Sequence, residues 1–288
     1  MPKSKQKLHG FLELSAGQDP IVDIVAIHGL DGHREHSWTA DDGTMWLRDL
    51  LPDDIPNARI LTYGYDTDTK NFSTTSRQTI FRHAGAFTED LSFLRRATDP
   101  ADPKRPMIFL AHSLGGIILE KDDDSETEGG LRDIVVSTFA ILFFGTPHPG
   151  ANGVELAKWM GRVLSVCMST NDRTLRGLNR ESSELEKIQS LYLTASKRVN
   201  TIFFYEEYPT PIVKGVSQMI APSHSAVVQE DSKAKVVVLR ADHCQMVKYT
   251  KQGDVNYRKV VGYLSELVKD ATVVVEETRI SENGNRGP

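Results

Sequence analysis

The stretch MIFLAHSLGG, residues 107–116, runs from apolar residues to a pair of glycines through a single serine, Ser113. The apolar half predicts a buried strand, and the residues after the serine predict the start of a helix. A serine at such a turn projects its hydroxyl clear of the sheet only when the backbone bends sharply. That bend crowds the positions two before and two after the serine, and both carry small residues, Ala111 and Gly115. The stretch therefore predicts a nucleophilic serine.

A second interpretation of the same stretch stays open. Alanine stands at position 111, where the pattern G-x-S-x-G has its first glycine. An ordinary strand-to-helix turn would also place a serine here, as the residue that caps the helix. In favour of the nucleophile, the helix beginning at Leu114 directs its positive end at the turn, which suits an oxyanion forming beside Ser113. The remainder of the chain has to distinguish the two.

Strand and helix patterns alternate along the chain. Short apolar runs rich in β-branched and aromatic residues are typical of parallel strands covered on both faces. The alternation predicts an α/β fold with a mainly parallel central sheet and helices on both faces. LHGFLEL near the start predicts an antiparallel edge strand. The parallel runs are IVDIVAIHG, ARILTYGY, PMIFLAHS, TFAILFFGTP, NTIFFYEE and AKVVVLRADH.

We expect one domain over residues 8–270 and two segments outside its packed core. Residues 122–130 are rich in mutually repelling acids and end in two glycines, which stop a helix. This composition favours a flexible, solvated loop over a regulatory lid or partner site. The polar end of the chain predicts a disordered tail over 271–288.

The bulk composition is that of an ordinary globular protein. The chain has 288 residues and a formal net charge of -5, without a basic stripe for nucleic acid. Cys167 and Cys244 cannot form a disulfide framework and lack metal-ligand spacing. No apolar run reaches the roughly 18 residues of a membrane helix, nor does the start predict a signal peptide. These features predict a cytoplasmic protein with no metal or cofactor, and they leave its oligomeric state open.

A loop after an earlier strand offers the second half of an oxyanion hole. The turn after Ser113 supplies only one backbone donor, the N–H of Leu114, and a second has to come from such a loop. The strand VDIVAI leads into His28, Gly29 and Leu30, where the glycine lets the backbone approach a substrate oxygen. Leu30 N–H is the candidate donor, and His28 is expected to brace the loop. A glycine-rich turn that merely ends a strand is the alternative.

Three histidines lie downstream of Ser113. When the triad order is serine, acid, histidine, the base follows the last strand. His243 follows the run VVVLRAD and fits that place. His148, in FFGTPHPG, is expected to line the pocket, and His224 lies in a polar loop.

The predicted strand NTIFFYEE, one strand earlier than the run that leads to His243, ends in a pair of acids, Glu206 and Glu207. A carboxylate here could hold the imidazole tautomer and stabilise the imidazolium. Glu206 is favoured because it comes first after the apolar run, although Glu207 stays open. Asp242 adjoins His243 and is badly placed to meet the ring of its neighbour, and Asp231 is an outside candidate.

The chain resembles the lipase-like α/β-hydrolases related to the GPI inositol-deacylases and to the serine-active-site-containing proteins. It looks closest to the hydrolase domains at the front of fungal NACHT and ankyrin multidomain proteins. The resemblance implies an α/β-hydrolase fold and a serine esterase or lipase, with Ser113, Glu206 and His243 at the triad positions. One departure is that the family's helix after the serine continues beyond GIILEK, where this chain has DDDSETEGG. The motifs that carry it are IHGLDGHREHSWT, WLRDLLP, ARILTYGYD, FLAHSLGGIILEK, FFGTPHPGA, FFYEEYPT and ADHCQMVKY.

These features together predict hydrolysis of a small-molecule or lipid-like ester through an acyl-enzyme intermediate. Trp159, within the apolar segment 152–169, could cap an acyl pocket, although a plain core helix would contain the same residues. Two alternatives stay open. One is a signalling or interaction module that keeps the fold without turnover. The other is a thioesterase or acyltransferase that uses the same triad.

Overall fold

In a computed structural model of the chain, the structure describes residues 9–65, 77–98, 105–116, 134, 136–146, 158–159, 161–163, 165–166, 199–212, 216–221 and 234–284. The strands are β1 (Gly10–Ser15), β2 (Val22–Ile27), β3 (Ala58–Gly64), β4 (Met107–His112), β5 (Thr138–Phe144), β6 (Asn200–Glu206), β7 (Thr210–Pro211), β8 (Ser217–Gln218) and β9 (Lys235–Leu239). The helices are a 3-10 turn (His36–Trp38), α1 (Trp46–Asp49), α2 (Leu51–Asp54), α3 (Arg77–Thr98) and α4 (Val255–Gly284).

Seven of these strands form one sheet in the order β1-β3-β2-β4-β5-β6-β9. Only β1 runs antiparallel to its neighbour β3, and every other pair is parallel. The chain goes from β2 outward to β3 and then crosses to β4 on the other side of β2. Ligand sites of open α/β sheets lie at such a reversal, outside the carboxyl ends of the strands. This is the α/β-hydrolase fold, and the predicted fold class and edge strand are confirmed.

Apolar layers cover both faces of the sheet. Val22, Ile24 and Ala26 of β2 pack on one face, in the core that includes Trp46 and Tyr257. Val25 and Ile27, at the alternate positions, pack on the other face with Phe87 and Leu91 of α3. Side chains alternate between the faces of a strand. All six residues of β2 are buried, which explains its almost unbroken apolar sequence.

One charged residue interrupts that sequence, and it lies in a buried ion cluster at the amino edge of the sheet. Asp23 accepts hydrogen bonds from Arg95 Nη1 at 3.0 Å and from Arg105 Nη1 at 2.9 Å. Arg59 Nε lies 3.8 Å from Asp23 and 3.6 Å from the half-exposed Glu13. The three arginines and Asp23 are all buried. This cluster, called here the amino-edge cluster, ties β2 and β3 to the end of α3 and the start of β4.

The end of the chain differs from the sequence prediction. Helix α4 continues to Gly284, so the expectation of a disordered tail is wrong over 271–284. The sequence from Thr272 to Asn283 holds no proline or glycine, so it contains no strong breaker of a helix that is already established. The predicted domain boundary at 8–270 stays a prediction, and the acidic segment 122–130 lies outside the described residues. No helix in the described parts of the chain is long and apolar enough to span a membrane.

Candidate active site

Ser113 occupies a strained turn between β4 and the helical residues that begin at Leu114. Its φ of +53° lies in the left-handed region that residues other than glycine seldom adopt. Three hydrogen bonds hold the peptide groups of this turn. Ser113 N–H donates to Phe144 O at 2.8 Å, and Ser113 O accepts from Gly116 N–H at 3.1 Å and from Thr146 Oγ1 at 2.9 Å. The neighbouring strand and loop therefore maintain the sharp bend that the sequence pattern predicts.

The hydroxyl of Ser113 is buried and has no hydrogen-bond partner among the described residues. A helix-capping serine would accept a hydrogen bond from an N–H of the first helical turn. The geometry therefore disfavours the helix-cap interpretation. Buried polar atoms are normally satisfied, and an exception such as this hydroxyl calls for an explanation, of which a catalytic role is one.

Two glycines allow close approach around this serine. A Cβ added at Gly115 would lie 2.6 Å from the carbonyl oxygen of Ile27, and one added at Gly29 would lie 2.8 Å from Ser113 Cβ. Real Cβ atoms do not approach so closely. The loop after β2 thus packs directly on the serine turn, because β2 and β4 are adjacent in the sheet.

The predicted oxyanion donors lie on the two sides of this contact. Leu30 follows Gly29 in the loop, and Leu114 N–H belongs to a first helical turn, whose N–H groups lack intrahelical acceptors. Both side chains are buried. Asp31, the next residue in the loop, adopts a φ of +54°.

His28 is hydrogen-bonded to the loop backbone and to Tyr65, while its bracing role stays a prediction. Tyr65 N–H donates to His28 Nε2 at 3.4 Å, so the proton is on Nδ1, which donates to Gly29 O at 2.8 Å. Tyr65 Oη–H donates to the His28 carbonyl at 2.7 Å, and the two rings stack with centroids 4.4 Å apart. These contacts fix the peptide groups that precede Leu30.

His243 and Glu206 meet in the interior beside this turn. His243 Nδ1 lies 3.6 Å from Glu206 Oε2, and both side chains are almost fully buried. The separation is longer than a hydrogen bond, as catalytic contacts often are before substrate binds. The other oxygen, Glu206 Oε1, accepts the N–H groups of Ile220 and Ala221, each at 2.6 Å. The carboxylate is therefore anchored on one side and directed at the imidazole on the other.

The other acid candidates lie elsewhere. The side chain of Glu207 is 45% exposed and lies 3.8 Å from Arg240 Nε. Asp242 Oδ1 accepts the N–H groups of Cys244 and Gln245 at 2.9 Å, so it stabilises its own turn. Asp231 lies outside the described residues, as do His148 and His224.

Trp159 contacts Gly145, which in turn packs against the imidazole of His243. Its indole N–H donates to Gly145 O at 3.1 Å. Gly145 has a φ of +63°, and a Cβ there would lie 2.5 Å from both Cε1 and Nδ1 of His243. Gly145 was not predicted from the sequence, although a glycine directly after a buried strand is a recognisable signal of positive φ.

Two further contacts of His243 were not predicted. Thr210 Oγ1 accepts the His243 N–H at 3.0 Å, and His112 Nε2–H donates to the His243 carbonyl at 2.9 Å. Burial, together with the neighbouring His243, lowers the pKa of His112 to about 3. No group of three or more His, Cys, Asp or Glu side chains in the described ranges could hold a metal ion.

Comparison with known proteins gives distant relatives. No family model matches the chain. Protein SERAC1 of Danio rerio is 26% identical over 264 residues, and Protein SERAC1 of Homo sapiens is 24% identical over 269 residues. These matches cover 85% and 86% of this chain but only 39% of each relative.

A solved structure of similar size gives a weaker match. Acyl-protein thioesterase 2 of Zea mays matches with a TM-score of 0.46 and 11% identity, over 91% of this chain and 100% of that chain. The fold of this chain is therefore established by its own strand order. At the level of the fold, the predicted resemblance to lipase-like α/β-hydrolases is supported. The finer resemblance to GPI inositol-deacylases and fungal NACHT proteins stays a prediction, since both SERAC1 relatives are vertebrate proteins.

Proposed function

We propose that this chain is a serine hydrolase that cleaves carboxylic esters through an acyl-enzyme intermediate. Ser113 is the nucleophile, His243 the general base and Glu206 the acid that orients it. One observation supports this most strongly. Ser113 Oγ and His243 Nε2 are both buried without a hydrogen-bond partner in the described part of the chain, while the groups around them are held by short hydrogen bonds. Buried polar atoms without a partner call for an explanation, and a shared catalytic role is one that both atoms fit.

In the first half of the reaction, His243 Nε2 takes the proton of Ser113 as Oγ attacks the ester carbonyl carbon. The N–H groups of Leu30 and Leu114 stabilise the resulting oxyanion. Collapse of this intermediate breaks the bond to the alcohol, which leaves with the proton from His243. Glu206 stabilises the imidazolium and keeps the proton of the neutral ring on Nδ1.

In the second half, His243 accepts a proton from water, and the hydroxide attacks the acyl carbon. The carboxylic acid departs and Ser113 regains its proton. His28 and Gly29 shape the oxyanion side of the pocket, and Trp159 lines the acyl side. No step requires a metal or cofactor. The substrate is a small-molecule or lipid-like ester.

A related function keeps the triad and changes one of the two substrates. A thiol ester in place of the ester, or an alcohol in place of water, would make the chain a thioesterase or an acyltransferase. Rates with matched ester and thiol ester substrates distinguish the thioesterase, and added alcohol acceptors distinguish the acyltransferase. A non-catalytic interaction module is the remaining alternative, and a strained serine beside an anchored carboxylate and imidazole argues against it.

The test is covalent labelling with a fluorophosphonate, followed by intact-mass measurement. Ser113 Oγ attacks phosphorus, fluoride leaves, and His243 takes the serine proton. We expect one adduct on the parent protein and none on Ser113→Ala or His243→Ala. Cys244→Ala, a change next to the base that removes a side chain with no assigned role, should label normally. Folded parent protein that takes no adduct would favour the interaction module instead.

A further inference from the structure

His112, the residue before the nucleophile, makes a long-range contact with the base. Its Nε2–H donates to the main-chain carbonyl of His243 at 2.9 Å across 131 residues of sequence. The two rings also touch, with centroids 5.0 Å apart at an interplanar angle of 41°. The mechanism above uses both ring nitrogens of His243 and leaves its backbone to be fixed by other groups.

The backbone of His243 is held from both sides. Its N–H donates to Thr210 Oγ1 at 3.0 Å, and Thr210 lies just after the strand that ends in Glu206. Its carbonyl accepts from His112, at the end of the strand that leads to Ser113. One hydrogen bond therefore ties the base to the segment just after Glu206, and the other ties it to the strand that leads to Ser113.

The ring of His112 is itself fixed. A Cβ added at Gly29 would lie 3.1 Å from the His112 carbonyl and 3.3 Å from its Nδ1, so the oxyanion loop packs against this residue. Burial first, and then His243, lowers the pKa of His112 to about 3. Above that pH the ring is neutral, and its proton stays on Nε2 because a carbonyl can only accept. A neutral donor does not oppose the positive charge that His243 gains during acyl transfer.

We propose that His112 is a positioning residue that holds the His243 carbonyl and thereby keeps the imidazole in line between Ser113 and Glu206. This inference rests on the function proposed above. Its physical basis is that a catalytic group displaced by about 1 Å loses about 10²-fold in rate. His112 touches no substrate, and its effect passes through His243.

The experiment measures the maximal labelling rate and the apparent binding constant for a fluorophosphonate, by intact mass at several probe concentrations. His112→Phe keeps a ring of similar shape and removes the donor. We expect its maximal labelling rate to fall about tenfold or more while its binding constant stays within twofold. His112→Gln, whose amide nitrogen can reach the position of Nε2, should recover most of the rate.

Tyr257→Phe is the matched control, because it removes one part-buried hydrogen bond, to Asp54, and neither residue belongs to the proposed site. It should lower thermal stability and label at the parent rate. If His112→Phe does not fold, His112→Asn takes its place, since its shorter amide cannot reach the carbonyl. Equal labelling of the parent and the donor-free variant would overturn this inference alone. A parent without any adduct would overturn the proposed function as well, because a base that activates no serine needs no positioning.

Discussion

Strand β2 has a polar site at each end, and the two sites are built in opposite ways. At its amino end, Asp23 accepts hydrogen bonds at 2.9 and 3.0 Å from buried arginines. At its carboxyl end, the loop from Gly29 packs on Ser113, whose buried hydroxyl has no partner among the described residues. One end pairs its charges, and the other keeps reactive atoms without partners.

The difference shows where the fold gains and where it loses stability. A buried polar atom without a partner costs about 1–3 kcal/mol, and a non-glycine residue at positive φ costs a similar amount. Such strain persists only when the surrounding structure fixes it. The amino-edge cluster and the two apolar faces fix β2 and β4, so their carboxyl ends can carry the strained turn.

The largest effect should come from changing, one at a time, the two adjacent acids at the end of β6. Glu206→Gln still accepts from Ile220 and Ala221 N–H but turns an NH₂ group toward His243 Nδ1. The proton of the imidazole then moves to Nε2, which can no longer act as a base, and ester hydrolysis should fall about 10³-fold. Steady-state hydrolysis of a p-nitrophenyl ester measures this. Glu207→Gln is the control, and equal losses in the two variants would contradict the assignment of Glu206.

At the other end of β2, Asp23→Asn leaves three buried arginines without their carboxylate. Removing one member of a buried ion pair costs about 3–5 kcal/mol of unfolding free energy. Urea denaturation followed by circular dichroism measures it. Glu13→Gln changes the half-exposed partner of Arg59 and should cost less than about 1 kcal/mol. A small loss for Asp23→Asn would mean that the cluster is not what stabilises this edge.

Ser113→Gly should change the unfolding free energy in the opposite direction and stabilise the protein. Glycine adopts a φ of +53° without strain, and the change also removes the unsatisfied hydroxyl. We expect the unfolding free energy to rise by about 1 kcal/mol while labelling is lost. Ser113→Ala removes the hydroxyl and keeps the strained Cβ, so its gain should be smaller. A Ser113→Gly variant less stable than the parent would show that the turn stores no strain.

The smallest effect concerns the brace beneath the oxyanion loop. Tyr65→Phe removes the donor to the His28 carbonyl at 2.7 Å and keeps the ring stacked on His28. We expect a loss of about 1 kcal/mol in stability, with a lower hydrolysis rate and an unchanged KM. Thermal unfolding and the same ester assay measure both. A change in KM alone would place Tyr65 in substrate binding instead.

The strands and the candidate nucleophile were predictable because their signals are local. Each parallel strand is an apolar run, and the small residues around Ser113 reflect a bend within five residues. Asp23 gave a signal too, since a charged residue inside a buried strand needs buried partners. Its partners Arg95 and Arg105 could not be identified, because no local pattern records which side chains a sheet edge brings together.

The contacts of the base were missed for the same reason. Thr210 begins the short strand β7, and no local pattern indicates that its hydroxyl meets a residue 33 positions later. His112 occupies a position that the serine motif leaves variable. The choice between Glu206 and Glu207 stayed open in the sequence. Successive side chains of a strand point to opposite faces, and the sequence alone does not say which face meets the imidazole.

The hydrogen bonds that close this molecule join distant parts of the chain. His112 bonds to His243 across 131 residues, Trp46 to Val247 across 201, and Tyr257 to Asp54 across 203. Closing such long loops is slow, because their entropy is lost before the contacts that offset it form. Competence for labelling should therefore be among the last properties regained during refolding. A fluorophosphonate pulse then measures the fraction of molecules that have completed folding, whereas circular dichroism also detects chains in which only the helices have formed.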